Sequence, residues 1–325
     1  MSSNYPAVSW LLTSRDPSVR YLSLTEILGK PARDSQVLAA RRAIPKGAKI
    51  RALLSGQRRD GGFGVHPYSK WTGGFWRLVA LAELAMPPDD RRIRALADHV
   101  LTWLEADRRG LTTAPAMIGK LVRAHATQDG FALGALSLLG LAKLQRVRRL
   151  AERIIEWQWP DGGWNCDRRL SASHSSFHET HGALWGLAEF DRAIGDRNAR
   201  RTMEKAAEFL LRHRLFRSER TGTVIHGNFL SLHFPSYWHY DVLQGLWVLS
   251  RAGKLADKRA EEALDIVLHK RHADGKWRAD GYHWKPRGRR RSRAEVVDWG
   301  RGGPNEWVTL RALRVLKSAD RLQDR

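Results

Sequence analysis

The strongest constraint in this chain is a turn that recurs. Residues 57–63, QRRDGGF, and 158–164, QWPDGGW, share the pattern Q-x-x-D-G-G-aromatic. Residues 271–277, RHADGKW, keep the Asp-Gly turn and the aromatic, with arginine in the glutamine position. The copies begin 101 and 113 residues apart, each about two helical hairpins long. In the middle copy Pro160 presets φ, the Asp161 carboxylate suits nearby backbone N–H groups, and Gly162 and Gly163 supply conformations closed to other residues. After each copy come a polar loop and an amphipathic run, residues 70–84, 176–190 and 305–317. Such a period means stacked supersecondary units, each needing neighbours to bury its apolar face.

The segments between the turns read as helices. Asp16-Pro17 supplies an N-cap with proline at N1, and Val19, Leu22, Leu24, Ile27 and Leu28 form a stripe that Gly29 ends. Further helices are expected over 35–42, 49–55, 71–86, 91–109, 117–126, 131–144, 147–158, 198–214, 237–251, 257–270 and 306–319, while residues 1–15 give no firm structure. Ser176 and Glu179 form an S-x-x-E capping box, which predicts a helix starting at about Ser176. Strand signals are nearly absent, 223–225 being the only β-branched run, so the class is all-α. The expected organisation is an N-terminal helical appendage, residues 1–45, followed by one repeat domain, residues 46–325.

The Q-x3-G-x-W form of the turns resembles the QW repeats of squalene and hopene cyclases and of protein prenyltransferase β-subunits. The pieces SSFHET, SYWHYDVL, VVDWG and GGPNEW are also similar to an uncharacterised group of bacterial proteins loosely labelled squalene cyclases. The resemblance implies an α/α toroid of about five to six helical hairpins, with inner helices ringing a cavity and outer helices around them. It also implies a hydrophobic or isoprenoid ligand. The acid motif of squalene-type cyclases, Asp-x-Asp-Asp, has no counterpart, since Asp89-Asp90 follows Pro87-Pro88 in a helix-ending turn. The family's protonation step therefore does not carry over. Gln57, Asp60, Gln158 and Asp161 match the repeat as structural residues.

If the hairpins repeat with one handedness, all inner helices begin at one end of the ring. The N-terminal rim would then collect Lys70, Trp71 and Trp76; His178, Glu179 and His181; Trp238, His239, Tyr240 and Asp241; and Asp298, Trp299, Asn305, Glu306 and Trp307. Helix N-termini stabilise anions, so Glu179, Asp241 and Glu306 are expected ionised and His178 and His239 inclined to neutral. For an enzyme, His178 and His239 would handle protons, with Asp241, Glu179 and Glu306 orienting or stabilising charge. Lys70, Trp71, Trp76, His181, Trp238, Tyr240, Asp298, Asn305 and Trp307 would bind substrate. For several of these the structural alternative is equally plain: Glu179 as a capping-box residue, Asp241 as a first-turn acid, the tryptophans as core.

No cofactor is expected, with zinc the minor alternative. His174, His178 and His181 are spaced for one helical face, but the capping box leaves His174 outside the helix. The zinc site of protein prenyltransferases uses an Asp-x-Cys pair and a later histidine, and Asn165-Cys166-Asp167 breaks that spacing. Cys166 is the only cysteine, which excludes an intrachain disulfide.

A chain of 325 residues buries about three quarters of its unfolded surface, so a large core needs no staples. The formal net charge of +22 suits an anionic partner. The one dense basic run, residues 285–293 (KPRGRRRSR), is a candidate anionic contact, but no recognition helix, RNP motif or zinc-finger spacing accompanies it. A non-catalytic basic scaffold for nucleic acid or anionic lipid, or a glycan-active toroid, are the alternatives to an isoprenoid-binding protein. The most apolar stretch, residues 130–142, is too short to span a bilayer. No basic segment followed by a long apolar run opens the chain, and the expected location is cytoplasmic, with peripheral membrane contact as the variant.

Overall fold

The computed structural model describes residues 6–106, 115–286 and 294–322. The elements are α1 Pro6–Leu12, α2 Pro17–Leu22 continued by a π-helical turn Ser23–Ile27, α3 Ser35–Ala43, α4 Ala48–Leu54, α5 Gly74–Glu83, α6 Arg91–Ala106, α7 Ala126–Leu138, α8 Gln145–Glu156, α9 Phe177–Ile194, α10 Arg197–Arg212, α11 Val242–Arg251, α12 Glu261–His269 and α13 Glu306–Ser318. A small antiparallel hairpin, β1 Ala116–Ile118 with β2 Leu121–Arg123, interrupts the helices. Side-chain caps fix several starts: Asp16, Asp34, Asp196, Asp241 and Asn305 accept first-turn N–H bonds. Gly195 ends α9 in the left-handed conformation.

The helices form an all-α, α/α toroid. Helix α5 packs on α7, α7 on α9, α9 on α11, α11 on α13, and α13 on α2 and its π-turn, so these make the inner ring. Their burial differs from that of the outer helices. Helix α8 buries only the stripe Val147, Leu150, Ala151 and Ile154, whereas α7 buries nearly every residue from Ala126 to Ser137. The closest pair is α7 with α9, where a Cβ on Gly130 would run into the Gly182 carbonyl and one on Gly186 into that of Gly130.

The first two recurrent turns each join an outer helix to the next inner one and bolt both to the neighbouring outer helix. Gln158 Nε2 donates to the Gly162 carbonyl (2.7 Å) and to Thr202 of α10 (2.8 Å). Gln57 does the same to Gly61 (3.1 Å) and Arg92 of α6 (2.9 Å). Gly162 sits at φ 102° against the Lys205 carbonyl, and Gly61 at φ 80° against that of Ala95. The turn tryptophans reach back to the helix before them, Trp164 Nε1 to Ile154 O (2.8 Å) and Trp277 Nε1 to Val267 O (2.7 Å). Their backbone N–H groups bond to Thr180 and Thr309, one in each following inner helix.

The third turn abuts α1, with Gly275 against Ala7 and Lys276 Nζ 4.9 Å above the Trp10 ring. The N-terminal helix thus fills the outer position at which the ring meets itself. Residues of the N-terminal segment, among them Ala7, Leu11, Val19, Ile27 and Ile44, belong to the same hydrophobic core as the inner ring.

Several local expectations need correction. Residues 6–12 are helical, and the helix expected over 117–126 is the β-hairpin followed by the entry to α7. The run 223–225 pairs only through an isolated bridge between Val224 and Arg217. Helices α5 and α11 start at Gly74 and Val242, which leaves Trp71, Trp238 and His239 in loops. The capping box does not form: Ser176 makes no side-chain cap bond, and Glu179 instead accepts from Thr127 N at the start of α7 (2.9 Å). Of the basic run, residues 287–293 lie outside the described residues, while the flanking Lys285 carbonyl accepts from Glu295 N (3.0 Å).

Candidate functional site

The inner helices do bring their N-terminal ends together. His178 Nδ1 accepts from Tyr240 N (3.1 Å), and its carbonyl accepts from Thr127 Oγ1 (2.6 Å), tying the starts of α7, α9 and α11. Trp238 lies edge-on to His178 and stacks on His239, which stacks on His283. Lys70 Nζ lies 4.9 Å above the Trp238 ring and 5.9 Å from that of Trp71. Trp71 stacks on Tyr237 and meets Trp76 at an edge. Asn305 caps α13 through Trp307 N and Val308 N, and Trp307 stacks on Phe234. Asp298 is exposed and accepts from Gly300 N (2.9 Å). Glu306, the first residue of α13, is half-buried.

Two buried carboxylates organise this rim. Asp241, fully buried, caps α11 through Gln244 N (2.8 Å) and also accepts from the backbone N–H (3.0 Å) and Nδ1 (2.8 Å) of His233. Burial works to lower the His233 pKa, but the charge and hydrogen bond of Asp241 leave it above the ordinary value. His233 is thus the histidine that Asp241 orients.

Glu179 is the second. Its Oε1 lies 3.5 Å from His125 Nδ1, and the Cys166 thiol donates to the same carboxylate. Burial opposes ionisation of Glu179, yet these partners and Thr127 N hold its pKa below the ordinary range. The Cys166 thiol is pushed up by burial and by the Glu179 charge. Burial lowers His178 and takes the enclosed His181 down to about 4.

The central space lies elsewhere. A cavity of about 340 Å³ opens nearer the C-terminal ends of the inner helices, where Glu83, Leu138, Glu189, Arg251 and Arg314 converge with Glu26 of the π-turn. Trp185, Trp247 and Trp307 form its aromatic wall. Trp307 is the single residue singled out from the sequence as ligand-binding that lines it. Helix C-termini carry partial negative charge and favour cations, and here arginines supply them. Arg251 meets Glu189 through two bonds (2.5 and 2.7 Å), Arg311 bonds Glu83 and Gln244 Oε1 (2.7 Å), and Arg314 pairs with Glu26. Arg314 also covers the Trp247 ring at 3.9 Å.

The N-terminal half of the ring is filled instead. Trp71, Trp76, Tyr237, Phe131, His181 and Tyr240 pack ring against ring there. The residues that sequence reading missed are His125, His233 and the cavity arginines. Arg311 and Arg314 had a legible signal, being cations on the otherwise apolar face of α13.

No family model matches the chain, and no curated protein does. Among solved structures, a crystal structure of a protein from Actinoplanes is similar at 16% identity, covering 94% of this chain and 90% of that one, with a TM-score of 0.44. A variant of the type II terpene cyclase MstE from Scytonema, in complex with its substrate geranylgeranyl dihydroxybenzoate, is similar at 14% identity, covering 98% of this chain and all of the other, with a TM-score of 0.42. Among the described residues, no helix is long and apolar enough to cross a membrane.

Proposed function

We propose that this α/α-toroid protein binds a small hydrophobic molecule with an anionic head, of the prenyl diphosphate kind, in the central cavity. The observation that carries the reading is the convergence of three tryptophans and three Arg–Glu pairs around open space, two of the pairs largely buried and Arg314–Glu26 partly exposed. Buried ion pairs are no better for stability than apolar packing of the same volume, so their gathering at a cavity points to a ligand. A volume of about 340 Å³ falls at the small-molecule end of the usual range of roughly 300–1,000 Å³. The lining holds Arg41, Arg251, Arg311 and Arg314 against Glu26, Glu83 and Glu189, which leaves one cation in excess for an anionic group. The tryptophan faces would take the hydrocarbon.

The experiment is calorimetric titration with farnesyl diphosphate and farnesol. Arg41→Gln, which removes the cation without a glutamate partner in the lining, should weaken the diphosphate several-fold and leave the alcohol unchanged. Failure of the wild type to bind either compound, or equal weakening of both, would refute the reading.

A further inference from the structure

Away from the cavity, one cluster of side chains is built for a different kind of ligand. His125, Cys166 and Glu179 each offer one donor atom, and these three atoms lie within 4.8 Å of one another. They come from three parts of the chain: the residue before α7, the loop after the middle recurrent turn, and the first turn of α9. The backbone explains the meeting. Strand β2 runs alongside the loop through a parallel bridge between Arg123 and Asn165, and Ala124 N bonds to Asn165 O (3.2 Å). That pairing brings His125 and Cys166 side by side, and the Glu179 carboxylate reaches across from the neighbouring helix.

We propose that His125, Cys166 and Glu179 are a three-ligand site for a divalent metal ion of the zinc type. Imidazole, thiolate and carboxylate are the donors such an ion takes, and one thiolate with one carboxylate neutralises its two charges. Bond lengths of about 2.0–2.3 Å in a tetrahedron put donor atoms roughly 3.3–3.7 Å apart. His125 Nδ1 and Glu179 Oε1 already stand at 3.5 Å, and the remaining closure is a side-chain movement. The second Glu179 oxygen is held by Thr127 N (2.9 Å), an outer-shell bond that fixes the carboxylate before any ion arrives. Glu179 is buried while His125 is partly exposed, which gives an ion a way in. Three protein donors leave a fourth position open, the arrangement of a reactive site rather than a closed structural one. Binding requires loss of the thiol proton, so one proton leaves Cys166 for each ion that enters.

The test uses the full chain, stripped with a chelator and titrated with Co²⁺ and Zn²⁺. We expect one equivalent of Co²⁺ to produce a thiolate-to-cobalt charge-transfer band and four-coordinate visible bands, with Zn²⁺ displacing it. Cys166→Ser should abolish the charge-transfer band, and Glu179→Gln and His125→Ala should each weaken binding at least tenfold. His174→Ala, eight residues beyond the thiol in sequence and exposed, should leave it unchanged. Circular dichroism of each variant keeps loss of binding apart from loss of fold. No stoichiometric binding by the wild type would overturn the assignment, as would binding that survives Cys166→Ser or that fails in His174→Ala. Prenyl ligand binding is measured separately, so either proposal can fail without the other.

Discussion

His181 and His233 sit at the same rim and titrate in opposite directions. Burial takes His181 down to about 4, so between pH 6.5 and 4 the unfolded chain binds a proton that the folded one does not, and stability falls as the pH drops. A shift of that size corresponds to about 3 kcal/mol. Replacing His181 with phenylalanine, which suits its contacts with Phe131 and Tyr240, should remove this dependence. Urea unfolding at pH 7.5 and 4.5 should give a difference between the two pH values smaller by about 2–3 kcal/mol in the variant. An unchanged difference would mean that His181 is protonated in the folded protein. The Asp241 partner raises His233, whose contribution is present in full below pH 6.5 and is lost as the pH rises through the folded value. His233→Asn should therefore cost more at pH 5.5 than at pH 8.5 in the same assay. Asp241 and Glu179 stood out in the sequence because they open apolar runs, but their partners did not. His233 lies eight residues before Asp241, and His125 reaches Glu179 only through the pairing of β2 with a loop, a contact no local spacing encodes.

The recurrent turns were the most legible elements, because glutamine, aspartate, glycine and aromatic each have one local task. The structure adds that the turn also fastens the next outer helix, through Gln158 to Thr202 and Gln57 to Arg92. Gln158→Ala should cost about 1–3 kcal/mol, since two carbonyls lose a donor. Gly162→Ala should cost more than about 2 kcal/mol, because it combines positive φ with a collision against the Lys205 carbonyl. Denaturant midpoints for the two variants check both figures, and a Gly162→Ala protein as stable as the wild type would show that the turn shifts freely. The hairpin over 116–123 was harder to see. Its apolar residues suit helix and strand alike over so short a run, and pairing with residue 165 decides the outcome.

At the scale of the molecule, ring closure depends on the N-terminal helix. Leu11 is fully buried, whereas Leu38 is 42% exposed. Leu11→Ala should cost about 2–5 kcal/mol, against less than about 0.5 kcal/mol for Leu38→Ala. Equal small effects in thermal melts would detach α1 from the core. The all-α ring was legible from periodicity and turns, as was the gathering of inner-helix starts. Which half of the ring stays open was not, because it depends on how Trp71, Trp76, Tyr237, Phe131 and His181 fill the N-terminal half, a matter of side-chain packing across five segments. The cavity consequently lies towards the arginines at the other end. Parallel titration of farnesyl diphosphate into wild type, Ala82→Phe and His239→Ala tests that placement most directly. Ala82 lines the cavity, so phenylalanine there should weaken binding at least tenfold, about 1.4 kcal/mol, while His239→Ala stays within about threefold of wild type. The reverse pattern, binding lost in His239→Ala and kept in Ala82→Phe, would move the ligand to the histidine-rich rim and contradict the account.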